Sequence, residues 1–177
     1  LAVQLIKRDS INLDILKPSL GKKAPDEVIY NQALMALGSR EVAMADSLAC
    51  LLPEKPSTAY LKSITAALAG DYDRAYPMIA SRGGLNEVLL LLCMDRNATA
   101  KTKCEEMMTL PEYSKNAKFW YVHAICANRH DDIFTAMISL ETALGLDPEL
   151  EEIARLDSDM MDVIELVRPT EEGTQTL

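Results

Sequence analysis

From Asp26 onward, apolar residues return roughly every 3.6 positions, in eight stretches cut apart by Gly, Pro and Asp. That period is the period of a helix face, and connections this short force consecutive helices to lie antiparallel. Asp26 reads as the N-cap of a helix running to about Leu37, with Gly38 as its stop. Further helices are expected from Glu41 to Leu52 before Pro53, from Pro56-Ser57 through Ile64 and Leu68 to Gly70, and from after Asp71 through Ala75 and Ile79 to Gly83-Gly84. The Leu-rich stretch Asn86–Met94 is apolar on nearly every side, the mark of a helix at the centre of a stack. Three more are expected over Thr99–Leu110, Ala117–Asn128 and Ile133–Leu146. Four helix hairpins result.

The rest of the composition agrees. Only 5% of residues are aromatic, so the core is expected to be built from Ala, Leu, Ile, Val and the nine Met. Small residues beside many Leu suit close-packed helices; strands favour β-branched and aromatic side chains. The first 25 residues read differently. Ile11, Leu13 and Ile15 alternate with polar neighbours, and Pro18, Gly21 and Pro25 interrupt the chain before Asp26. Residues 1–25 are therefore expected to be an extended segment or linker from an upstream domain, residues 26–167 the helical domain, and residues 168–177 a mobile tail.

Charge argues against some partners. With 18 basic and 27 acidic residues the net charge is −9, which repels phosphate backbones and anionic lipid heads. Residues 141–172 hold eleven acids against Arg155 and Arg168, an acidic end that reads as a solvated cap. The longest apolar run, Val88–Met94, is far too short to span a membrane, and no membrane insertion is expected. Cys50, Cys93, Cys104 and Cys126 form no CxxC pair and lie in apolar helical stretches, so they are expected to be free, buried thiols. Free thiols lean toward a reducing compartment, with a bacterial envelope as the alternative.

Ala43, Ala75, Ala100 and Ala136 fall early in the second helix of each hairpin, 32, 25 and 36 residues apart. Residues 117–150, AKFWYVHAICANRHDDIFTAMISLETALGLDPEL, are 34 residues long and resemble a tetratricopeptide repeat. Trp120 matches the bulky first-helix anchor. Ala124 and Ala136 match the small residues where the helices cross, Ala143 the small residue late in the second helix, and Asp147-Pro148 the closing turn. The second hairpin is similar through Gly70-Asp71-Tyr72-Asp73-Arg74-Ala75, and departs at Lys62, where the family usually has an apolar residue, and at Gly83-Gly84. The first and third hairpins match loosely. The resemblance implies a right-handed α-α superhelix of about four hairpins. The amphipathic runs after Pro148 read as its C-terminal capping helix.

No GxSxG, GxGxxG, P-loop, HExxH or EF-hand motif is present, so no catalytic residue, cofactor or metal is expected. His123 falls where the family places a buried Leu, and His130 precedes Asp131-Asp132 in a turn; both read as structural. What remains is a surface. In the family resembled, the first helices line a concave groove for an extended peptide or partner helix. The candidates here are Val28, Gln32, Tyr60, Ile64, Leu85, Leu89, Tyr121, Ile125, Asn128 and Arg129. Val28, Gln32 and Leu61 stand where chaperone-binding members carry a Lys/Asn clamp, so that clamp is absent. The expected function is a protein-interaction scaffold whose partner is another protein or peptide. The alternatives are a structural spacer that orients an upstream domain, and an enzyme or small-molecule binder with a pocket near Tyr121, His123 and Cys126.

Overall fold

The computed structural model describes residues 26–170, all of whose regular structure is helical. The expected extended segment 1–25, and the tail beyond residue 170, lie outside the described residues. The helices are α1 (Asp26–Gly38), α2 (Val42–Leu51), α3 (Pro56–Leu68), α4 (Tyr72–Arg82), α5 (Leu85–Cys93), α6 (Asn97–Met108), α7 (Ala117–Asn128), α8 (Ile133–Leu146), α9 (Leu150–Leu156) and α10 (Met161–Val167). A 3-10 turn, Pro111–Tyr113, separates α6 from α7. By internal contacts the chain groups into two compact units, one ending at Leu90 and the other beginning at Leu91.

The hairpins α1–α2, α3–α4, α5–α6 and α7–α8 turn in the same way, to the hydrogen bond. The amides of Glu41, Asp71, Arg96 and Asp132 donate to the carbonyls of Ala36, Ala66, Leu91 and Ala127, five residues back, at 2.8, 2.9, 2.9 and 3.1 Å. Just before each of these donors stands a left-handed residue: Arg40 (φ 63°), Gly70 (φ 86°), Asp95 (φ 54°) and Asp131 (φ 59°). This is the six-to-one closure of a Schellman motif, which satisfies carbonyls that the helix end would leave open. The donor residue then caps the next helix at once. Asp71 and Asp132 do so with side chains, accepting from the amides of Arg74 and Thr135 at 3.3 and 3.1 Å; Glu41 and Arg96 make no such bond.

That turn defines a register. Four residues beyond each capping residue lie Ala45, Ala75, Ala100 and Ala136, all 0% exposed. The small residue in α2 is thus Ala45, not the expected Ala43, which is exposed. Ala43 sits only two residues past Glu41, on the outer side of the helix. Four residues further on come Ala49, Ile79, Cys104 and Leu140, again buried. On the first helices, Ala33, Ser63, Val88 and Ala124 are buried at equivalent places.

In the first unit Ala33, Ala36, Leu37, Ala45, Ala49, Leu52 and Leu61 make one apolar cluster. In the second, α7 is buried from Tyr121 through Ala127, and α10 packs on α8 and α9 with Met160, Val163 and Ile164 at 0% exposure. Two thiols depart from expectation. Cys104 and Cys126 are buried, but Cys50 and Cys93 are exposed. Both lie on the solvent-facing side of their helices.

Candidate functional site

Counting back from the carbonyl that closes each turn brings the proposed groove residues of hairpins two to four into register, whereas Val28 and Gln32, aligned on Ala43, fall two residues short of it. Tyr60 and Tyr121 both lie six residues before it; so does Tyr30, and Leu85 occupies the place in α5. Leu34, Ile64, Leu89 and Ile125 share the next position along, two residues before the same carbonyl. Sequence spacing alone does not single out Tyr30, because only the turn's hydrogen bond supplies the register that pairs it with Tyr60.

Equivalent positions have unequal surroundings. In the first unit Tyr60, Ile64 and Leu85 are half-buried, as are Val28 and Gln32, while Leu89 is buried. In the second unit Tyr121 is 2% exposed and Ile125 is 3% exposed. The reason lies in the chain's own C-terminal segment. The Tyr121 hydroxyl donates to Asp157 Oδ2 at 2.9 Å. Asn128 Nδ2 donates to the backbone carbonyl of Asp159 at 2.7 Å. The Arg129 guanidinium grips the Asp159 carboxylate with two bonds, Nε to Oδ1 at 2.9 Å and Nη2 to Oδ2 at 2.7 Å. Its third nitrogen, Nη1, donates to the Leu92 carbonyl at 2.8 Å and to Asn97 Oδ1 at 3.2 Å.

A phenol, an amide and a forked cation thus hold the connection between α9 and α10 by its carboxylates and its backbone. Planar two-point pairing of this kind is the strongest class of side-chain hydrogen bond. Electrostatics reflect the contacts. Burial and the neighbouring Asp157 push the Tyr121 phenol well above its usual range. The bond to Asp159 raises the Arg129 guanidinium further still.

In the first unit the equivalent tyrosine has different company. Asn86 Nδ2 donates to Tyr60 Oη at 2.6 Å, and the Arg82 guanidinium carbon stands 4.1 Å from the centre of the Tyr60 ring. Sequence reasoning singles out neither Arg82 nor Asn86: each comes from a different helix, and only folding brings them to Tyr60.

A second register position is polar in every hairpin. Gln32, Lys62, Glu87 and His123 all lie four residues before the closing carbonyl. Lys62 and His123 are therefore equivalent. Lys62 pairs with Glu54, and His123 Nδ1 lies 2.8 Å from Ser139 Oγ, which itself donates to the Thr135 carbonyl. With that hydroxyl hydrogen committed, Nδ1 carries the imidazole proton as donor. Burial drives the His123 pKa down, so it is held neutral. Cys104 and Cys126 are buried on the adjoining faces of α6 and α7; the Cys126 sulfur, reinforced by burial, holds the Cys104 thiol well above its ordinary range.

The first unit also carries an open cleft of about 470 Å³, lined among others by Cys50, Lys62, Arg74 and Met78. Its charges are already paired: Arg74 meets Asp46 and Asp71, and Lys62 meets Glu54. Among the described residues no group of three or more His, Cys, Asp or Glu is placed to hold a metal, and no helix is long and apolar enough to cross a membrane. No model of a known protein family matches the sequence, and no curated protein matches it.

Proposed function

We propose that the chain is a non-catalytic protein-interaction module. In this reading its hairpins stack as a right-handed superhelix of tetratricopeptide type and offer their first helices to an extended segment of a partner. The observation that carries the reading is the hold of α7 on Asp157–Asp159, which displays the chemistry of segment recognition on the chain's own acidic stretch. The tyrosine recurs at that register in α1 and α3, where it is half-buried and so available in part to an outside ligand. Tyrosine suits such a surface because its ring buries area, its hydroxyl keeps a polar contact, and few rotamers are lost.

A second reading, a structural spacer without a ligand, is favoured for residues 91–170 by the 2% exposure of Tyr121 and the internal use of Asn128 and Arg129. Site-specific photo-crosslinking separates the two. A photoreactive residue in place of Tyr60 is expected to give a discrete adduct with a second protein in cells, whereas one in place of exposed Asp73 gives none. Equal, diffuse labelling from both positions would favour the spacer for the whole chain.

A further inference from the structure

The second unit shows what a tyrosine, an asparagine and an arginine do together on one helix: they hold an acidic turn by its carboxylates and one backbone carbonyl. The first unit gathers the same three residue types around Tyr60. Arg82, in the last turn of α4, is exposed, and its guanidinium lies over the Tyr60 ring at 4.1 Å. Arg74, Arg129, Arg155 and Arg168 each meet a carboxylate; among the described residues Arg82 has the ring instead. Stacking holds the planar fork in one orientation while its edge N–H donors stay free to meet a planar acceptor.

The tyrosine is set the same way. Asn86 Nδ2 donates to Tyr60 Oη at 2.6 Å, which occupies an oxygen lone pair and leaves the phenolic O–H to donate elsewhere. The cluster therefore presents two donors, a hydroxyl and a guanidinium edge, and among the described residues neither is paired with a carboxylate. In hairpin four the corresponding hydroxyl finds its acceptor in Asp157, and the arginine finds one two residues later in Asp159. Glu87, the acid nearest in sequence, is only 4% exposed and is engaged in an interaction of its own.

We propose that Tyr60, Arg82 and Asn86 form a receptor for a carboxylate carried on an acidic turn of another protein. This rests on the proposed interaction role and adds the chemistry of the partner: an Asp- or Glu-bearing turn, like the one that hairpin four holds internally.

The test uses the full chain and a labelled peptide with the sequence of residues 156–161, Leu-Asp-Ser-Asp-Met-Met. Binding is read by fluorescence anisotropy and mapped by amide chemical shifts. The peptide is expected to perturb Tyr60, Arg82 and Asn86. Arg82→Gln should weaken it roughly tenfold or more, and Tyr60→Phe about threefold, both with unchanged melting temperature. Added salt should weaken binding, and a peptide with both Asp changed to Asn should not bind. Undiminished binding to Arg82→Gln, or shifts confined to the surroundings of Tyr121, would overturn the proposal. If the Asn peptide perturbs Tyr60 equally, acid recognition is wrong while the interaction role stands. If acidic, neutral and basic peptides all leave Tyr60 unperturbed, both fall.

Discussion

Hairpins two and four are built on one plan and end in opposite conditions. Both close with the same backbone bond, both cap the second helix with an aspartate, and both place a tyrosine six residues before the closing carbonyl. In hairpin four that tyrosine is sealed under Asp157 while Asn128 and Arg129 hold Asp159; in hairpin two it is half-buried beneath a stacked arginine. The turn and the register thus fix where a side chain stands. They do not fix what it meets. That is decided by segments distant in sequence, and it separates a position that serves stability from one free to serve recognition.

The sharpest break in the comparison comes from removing the two tyrosines. Tyr121→Ala should cost about 3–5 kcal/mol, since it empties a packed site and leaves the half-buried Asp157 carboxylate without that donor. Tyr60→Ala should cost about 1 kcal/mol, because the ring is already partly in water. Urea unfolding measures both, and equal losses would erase the distinction between the hairpins. Next in size is Arg129→Gln, which removes a two-point bond between side chains each 25% exposed. About 2 kcal/mol is expected to go, together with faster protease cutting between α9 and α10. Arg82→Gln should change stability by less than about 0.5 kcal/mol, as an exposed residue without an ion pair among the described residues should.

A last pair of changes tests the shared turn itself. A Cβ added to Gly70 would meet nothing within 4 Å, so the cost of Gly70→Ala is that of the left-handed backbone alone, about 1–2 kcal/mol. Arg40→Gly relieves the same strain at the equivalent place in hairpin one and should stabilise by up to about 1 kcal/mol. Opposite signs at the two positions, read by thermal unfolding, are what a common turn requires; matching signs would mean the turns differ.

Much of the fold is legible in the chain. The expected spans of α7 and α8 coincide with the observed ones, and α2, α5 and α6 shift by only one or two residues. Apolar period and turn residues carry that information locally. Two kinds of error come from reading which way a residue faces. Ala43 and Ala45 are both alanines near a helix start, and only the turn's hydrogen bond shows that Ala45 is the one in register. Cys50 and Cys93 sit in apolar stretches yet point outward, since helices rich in Ala and Leu leave little contrast between their faces. The site is half legible. The equivalence of Tyr60 and Tyr121 can be read from spacing, and Asn128 and Arg129 can be recognised as donors for a carboxylate or a backbone. The occupant cannot, because Asp157 lies 36 residues beyond Tyr121 and nothing local links them.

The central claim is that one register position is sealed in hairpin four and open in hairpin two. Fluorine NMR of protein carrying 3-fluorotyrosine, with an inert soluble gadolinium chelate as quencher, reads this directly at each ring. The Tyr60 resonance should broaden strongly as chelate is added, while that of Tyr121, assigned by Tyr121→Phe, should stay sharp. Equal broadening of the two would contradict the account.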